Sequence, residues 1–421
     1  MTTDIRAPLA RYAERLHAVT GDGHHVASPL GAWLLLALAA PATTGATRAE
    51  LEEVLGTDVR TAAEAARALL EAPHPLVPSA TAFWHRPGCG TSAGLDAWRS
   101  ALPAPTVTGP VPDQSGLDAW AREHTLGLIG TFPLTVTPDV LLVLASALAT
   151  RVSWAEPFEV APAAALGPGS AWAGRLSRAL RTPEHGHRCW IADTARAGTV
   201  AAHAAHAQPA GTADGEAGLL VVSVAAAPRV AAGDVLAAAH GVAAEAAAAG
   251  DRLPAGRRSL FDLPLGETPL WTLREEPVRT SAPDGREERV TAALPCWSAE
   301  SRHELAAPEL GLPAVARVFG ELLDAPGLEF EAAQAAMARY GRHGFEAAAV
   351  TGMMAWMSLP PEGVARVAEL RFGHPYAVVA VATDTRPGGA TGPWHGVPVF
   401  SAWVAEPEEL PEADLDDRPA Y

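Results

Sequence analysis

The apolar runs of this chain change length along it, and that change constrains the fold more than any single motif. SPLGAWLLLALAA, residues 28–40, is long enough for a helix and apolar all round, which predicts a buried helix capped by Ser28 with Pro29 in its first turn. TRAELEEVL, 47–55, predicts a surface helix opened by Thr47, with Glu50 completing a capping box. LDAWAREHTLGLIG, 117–130, keeps helical spacing up to Gly127. Further on the runs shorten. LLVVSVA at 219–225 lies between Gly218 and Pro228 and predicts a strand. ERVTAALPCWS at 288–298 predicts another. VARVAELRFGHPYAVVAVAT and VPVFSAWVAEP predict two or three more, on either side of the turn-rich PGGATGPWHG. VLLVLASALATRVSW, 140–154, predicts a strand buried on both faces, although periodicity alone leaves a helix open. Helices first and strands later give an α+β order rather than a βαβ alternation.

The 421 residues suffice for one large core or two ordinary ones. With 48% hydrophobic and 19% charged residues, and no run near the roughly 18 apolar residues of a membrane span, the chain is expected to be soluble. A net charge of −17 disfavours nucleic acid and anionic membrane, which bind through basic patches. Neither is expected as a partner. The sequence has no lysine, no asparagine and three isoleucines, the composition of a GC-rich gene. Its start, MTTDIRAPLARYAERLHAV, carries charges where an export signal needs an apolar stretch, which predicts a cytoplasmic protein. From residue 405, AEPEELPEADLDDRPAY predicts a solvated acidic tail.

Several conventional catalytic signatures are missing: there is no H-E-x-x-H, P-loop or S-x-x-K, and no G-x-G-x-x-G after a strand. No catalytic residue and no cofactor is expected. Cys89, Cys189 and Cys296 have no C-x-x-C spacing and read as buried small hydrophobes. HGHRC puts His185, His187 and Cys189 at alternate positions that a strand would point one way. Nothing in the sequence supplies a fourth ligand, so no metal is expected.

Six segments in order resemble the serpin family of protease inhibitors over about residues 8–407. SPLGAWLLLALAAPATTGATRAELEEVLG is similar to its Ser-Pro helix and following G-A-x-x-x-T-x-x-E segment, and LDAWAREHTLGLI to I-x-x-W-V-x-x-x-T-x-G-x-I. LVLASALATRVSWAEPF resembles the third strand of sheet A with its W-x-x-P-F, matching Trp154, Pro157 and Phe158. AALPCWSAESRHELAAPELGLPAVARVF, LRFGHPYAVVAVATDTRPG and VPVFSAWVAEP resemble the L-P-x-F segment, the closing hairpin and the last strand. The resemblance implies a bacterial-type serpin: one domain over 8–407 with a large mixed sheet A, two further sheets, eight or nine helices and an exposed reactive loop, followed by a disordered tail over 408–421.

It also implies a function. GFEAAAVTGMMAWMSLPPEGV, 344–364, falls where a serpin keeps its reactive loop. Gly344, Phe345, Glu346, Ala347, Ala348 and Ala349 match the hinge, Met357-Ser358 the scissile bond, and Pro360-Pro361 the exit; the commonest loop length would move the bond to Ser358-Leu359. The implied partner is a serine protease of elastase-, chymotrypsin- or subtilisin-like specificity, trapped covalently by a monomer, outside the cell by family analogy. Ser28, Ser146, Trp154 and Gln334 fall in the shutter and breach beneath that loop. Phe345 stands where Thr or Ser is usual and Arg342 where Glu is usual, while Gly31, Ser146 and Gln334 replace Ser, Asn and His. These replacements are expected to remove hydrogen bonds that hold sheet A closed, and they give the alternative reading, a non-inhibitory binding or structural protein on the same fold.

Overall fold

The computed structural model describes residues 4–88, 93–150, 153–208, 217–325, 328–344, 361–385 and 390–415. In its first third the helices α1 (Arg6–Thr20), α2 (Pro29–Ala39), α3 (Gly45–Leu55), α4 (Val59–Glu71), α5 (Ala93–Ser100) and α6 (Gln114–His124) alternate with the short strands β1 (His25–Ala27), β2 (Ser79–His85) and β3 (Val107–Gly109). Strands β4 (Leu142–Leu148), β5 (Ser153–Trp154), β6 (Glu159–Pro162), β7 (Arg178–Arg181), β8 (His187–Thr194), β9 (Gly198–Gln208) and β10 (Ala217–Ala225) follow, then α7 (Ala232–Ala248). The last part holds β11 (Gly266–Glu267), β12 (Trp271–Arg279), β13 (Arg286–Leu294), β14 (Trp297–Glu304), α8 (Leu312–Leu322), β15 (Ala333–Tyr340), β16 (Glu362–Arg371), β17 (Tyr376–Asp384) and β18 (Val397–Val404). This is the α+β order read from the run lengths, and no helix among the described residues is long and apolar enough to cross a membrane.

A seven-stranded sheet runs β1-β18-β17-β10-β9-β5, with β8 also on β9, and a six-stranded sheet runs β11-β12-β16-β13-β7-β6. The continuous apolar run of β10 has a direct cause: both of its faces are covered. Leu219 and Val221 enter the main core, while Leu220, Val222 and Val224 meet a second core beneath α7. In β17, Val378 and Ala380 face the first, and Val379 and Val381 the second.

Helix α2 is buried along its whole length except at Leu35. Ser28 caps it as expected, its Oγ accepting from Gly31 N–H at 3.2 Å. Helix α3 starts three residues earlier than the capping box suggests, with Thr44 at its N-cap and Thr47 inside the first turn. Gly45 makes that entry possible, because its φ of +56° lies where residues with a side chain are strained.

Two smaller sheets, β3-β2-β4 and β14-β15, complete the architecture. Here one expectation is corrected. The run at 140–154 is two strands rather than one, and Leu142, Leu144 and Ser146 on β4 are only half-buried, because β4 pairs with β2 on a single edge. Residues 288–298 likewise divide between β13 and β14.

A cleft between two strand edges

Strands β4 and β15 form opposite walls of a cleft of ≈ 830 Å³. β4 is bonded only to β2 and β15 only to β14, so among the described residues neither has a strand partner on the edge that faces the cleft. Helix α6 and the chain after it cover one side through Trp120, Ile129 and Phe132, and α2 and α8 close the other.

At its base both walls are tied to the start of α2. Gln334 on β15 donates from Nε2 to Ser28 O and accepts from Ser28 N–H on Oε1, each at 2.8 Å. Ser146 on β4 donates from Oγ to Gly31 O at 2.8 Å. Ser28 Oγ reaches further, to Val399 O on β18 at 2.9 Å. A Cβ on Gly31 would lie 3.3 Å from Ser146 Oγ and 3.4 Å from Gln334 Nε2, so the missing side chain leaves both uncrowded. The expectation that Gly31, Ser146 and Gln334 strip this region of hydrogen bonds is therefore corrected: the three together make their own set.

At the top the walls are joined by backbone. Trp154 N–H donates to His343 O at 3.3 Å, Phe158 N–H donates to Arg342 O at 3.0 Å, and Ser153 bridges Gly344. Trp154 Nε1 adds a bond to Gly341 O at 2.9 Å. Beneath these bonds the Tyr340 ring sits 5.0 Å from Trp154 and stacks on Trp297 at 5.8 Å. Gly344 leaves β15 at φ +79°, a conformation that glycine adopts without strain.

Phe345 to Pro360 lie outside the described residues, and with them Glu346, Ala347, Ala348, Ala349, Met357 and Ser358. The flanks are placed. Gly344 stands at the head of the cleft, and Pro361 O accepts Thr280 N–H at 3.0 Å where β16 begins in the six-stranded sheet.

Other groups singled out in the sequence lie outside the cleft. His187 leads into β8, but its Nε2–H donates to Glu156 O at 2.8 Å and its Nδ1 meets His203 Nε2 at 3.0 Å. Burial lowers the His187 pKa to about 4 and holds His203 well below the ordinary imidazole value. His185 is exposed, and among the described residues no three His, Cys, Asp or Glu converge as a metal set. Cys189 and Cys296 are free and buried, and burial pushes both thiols up to about 12. In the acidic segment after β18, the described residues up to Leu415 are held against the core. Glu408 bridges Cys296 in backbone pairing, and Leu410 is buried in the main core. Leu410 and Pro407, both buried in an otherwise acidic stretch, were the sequence signal for this.

No family model matches the sequence, and no curated protein matches it. Solved structures do. Tengpin, a thermophilic serpin, in its native state matches with a TM-score of 0.61 and 13% identity over 95% of this chain and 94% of its own. Serpin48 of the insect Tenebrio molitor matches with a TM-score of 0.57 and 14% identity over 96% of this chain and 98% of its own. The chain has the serpin fold. Human thyroxine-binding globulin complexed with thyroxine, a third match, has a TM-score of 0.59 and 13% identity over 97% of this chain and all of its own, 100%. Such low identities carry the serpin fold and nothing about activity. Within that fold β3-β2-β4 and β14-β15 are the two halves of sheet A, and the cleft lies between them.

Proposed function

We propose that this chain is a serpin-type inhibitor of serine proteases, acting as a suicide substrate through residues 344–361 of its domain 8–407. The protease serine Oγ attacks the carbonyl carbon of Met357. The Met357–Ser358 bond breaks, the amine of Ser358 leaves with a proton from the enzyme's own acid, and an acyl ester joins Met357 to the protease. Residues after Gly344 then enter the cleft as a strand before water reaches the ester.

The observation that carries this reading is the pair of facing edges on β4 and β15, without a strand partner among the described residues, with Gly344 at their head. An inserted strand would satisfy the N–H and C=O groups of both edges at once, the same pairing that drives strand addition elsewhere. The sequence fits that route. Ala347, Ala348 and Ala349 are small enough for a packed sheet, where overfilling costs about 1–3 kcal/mol. Pro360 and Pro361 cannot join a central ladder and keep the other product outside. Met357, flexible and apolar, suits an elastase-, chymotrypsin- or subtilisin-like pocket.

A second reading, a non-inhibitory binding protein, is favoured by the bulk of Phe345 at the first position to enter. Thyroxine-binding globulin, complexed with thyroxine, is a fold relative that holds a small ligand. Incubation with a panel of serine proteases separates the two. An inhibitor gives an SDS-stable complex and a cleaved form that melts far above the intact one. Simple nicking, with active enzyme recovered and no rise in melting temperature, overturns the proposal.

A further inference from the structure

Arg342 and the segment 408–415 form one device at the head of the cleft. The Arg342 peptide oxygen accepts Phe158 N–H at 3.0 Å, and its Nε donates back to Phe158 O, also at 3.0 Å. Both peptide groups of Phe158 are thereby held by one residue. The rest of the guanidinium turns away from the cleft: Nη1 donates to Asp414 O at 3.0 Å and to Leu415 O at 3.3 Å. Arg339, on β15, pairs with Asp414 Oδ2 at 3.8 Å.

The segment that receives Arg342 is itself anchored at three points. Glu408 N–H donates to Cys296 O at 2.8 Å, and its carboxylate accepts Ser298 Oγ–H at 2.5 Å. The Glu409 carboxylate accepts Ser177 N–H at 2.6 Å and Arg178 N–H at 3.1 Å. Leu410 is 4% exposed. A short helical turn, Glu412–Asp414, then presents its carbonyls to Arg342.

A glutamate at position 342 has no N–H to give to any of these three carbonyl oxygens, and its charge would face Asp414. The arginine and the acidic segment are a matched pair. We propose that residues 408–415 are a strap that latches the head of the cleft through Arg342, making Arg342 the positioning residue that sets how readily a strand enters between β4 and β15. For entry from the Gly344 end, residues 342–344 must part from 153–158, and the Arg342 clasp on Phe158 is the strongest bond opposing that separation, because its donor is charged. The gating half of this proposal rests on the inhibitory reading above; the latch itself does not.

Three variants test it in the full chain: Arg342→Ala, Arg342→Lys, and a truncation removing 411–421 that keeps Leu410 and both glutamate anchors. Hydrogen exchange of the amides over 153–158 and 338–344 reads the latch. Exchange in Arg342→Ala and in the truncated chain is expected to quicken about tenfold, the loss of one charge-assisted bond. Arg342→Lys is expected to fall between, and the double variant to be no faster than Arg342→Ala alone, since the bonds Arg342 makes to 414 and 415 are already lost with its side chain. Unchanged exchange in both single variants overturns the proposal. The gate is read by how fast each chain, held at 37 °C without protease, loses its capacity to form the SDS-stable complex, with several-fold faster loss expected in the two faster-exchanging variants. Faster exchange with an unchanged rate of loss overturns the gating role. If the parent chain forms no complex with any protease, the inhibitory reading falls and exchange alone judges the latch.

Discussion

Ser28 and Gln334 exchange two hydrogen bonds of 2.8 Å each, side chain to backbone in both directions, across 306 positions of sequence. The exchange uses both ends of one amide. It ties β15 to the residue that caps α2, while Ser146 ties β4 to Gly31 three positions on. The two cleft walls are thus pinned to one helix start, and movement of either must strain it. Replacing Gln334 by Leu keeps most of the volume and orphans Ser28 N–H, while Ser28 O keeps only its 3.5 Å bond from Ala32 N–H, and Ser28 is 4% exposed. Leaving buried peptide groups unpaired costs about 1–3 kcal/mol each. A clear drop in the urea midpoint, with unchanged slope, is the expected result; an unaltered midpoint would show that the exchange contributes nothing to stability.

The buried histidines make stability depend on acid. His25 Nδ1–H donates to Gly23 O at 2.8 Å, which leaves its Nε2 as an acceptor for His17 Nδ1–H at 2.9 Å. His17 Nε2 in turn accepts from Ser401 Oγ at 2.6 Å. This chain works only while both rings are neutral, since a second proton on His25 would set two donors against each other. His187 and His203 repeat the arrangement at 3.0 Å. Burial lowers the folded pKa of all four below the ordinary 6.5, to about 4 for His187. The unfolded chain therefore binds more protons than the folded one across that interval, and stability rises with pH within it. On acidification it is expected to begin falling near pH 6.5 and to go on falling towards pH 4. Urea midpoints measured from pH 8 to 4 check this; a flat profile through pH 6.5 to 5 would contradict the neutral pairing.

His240 on α7 is a different case. Both ring nitrogens are buried and have no hydrogen-bond partner among the described residues, and burial lowers the pKa to about 4. An unpaired buried polar group costs about 1–3 kcal/mol, and the ring lies 6.4 Å from that of His17 on α1 without bonding to it. His240→Leu is expected to raise the melting temperature at pH 7 and to reduce the acid sensitivity. A lower melting temperature would mean that the ring has a function in the native state that its contacts do not display.

What the sequence could express depended on whether the cause was local. Helix α2 was legible because Ser28, Pro29 and an unbroken apolar run are neighbours in the chain, and β10 and β17 because two-sided burial writes itself as continuous Val, Leu and Ala. The start of α3 was misread because a capping-box pattern at Thr47 and Glu50 says nothing of the turn at Gly45. For β4 the richness in Val and Leu was visible, whereas the absence of a neighbour on one edge belongs to the whole sheet. Ser146 and Gln334 looked like losses because each was compared with a single expected residue, and only the folded chain brings them to the start of α2, where one bonds Gly31 O and the other Ser28. The segment after β18 was read from its charge. Its placement is decided by Leu410, by Glu408 against Cys296 and by Arg342, contacts that no local pattern encodes.

Phe345 is the residue on which the inhibitory proposal most directly depends. It follows Gly344, and with period-two alternation it would be the first side chain carried to the inner face of an inserting strand. Adding an aromatic ring to a packed interior costs about 1–3 kcal/mol. If that cost is felt at the step in which the strand enters, it slows insertion about tenfold or more. Hydrolysis of the acyl ester proceeds meanwhile at its own rate, so slower entry releases more active protease. Phe345→Thr is accordingly expected to lower the number of inhibitor molecules consumed per protease trapped, with little change in the rate of first attack, because Met357 lies far along the loop. Titration of a fixed amount of protease with each chain gives that ratio. An equal or higher ratio in the Thr variant would place the rate-setting obstacle elsewhere, with the clasp of Arg342 on Phe158 the next to test.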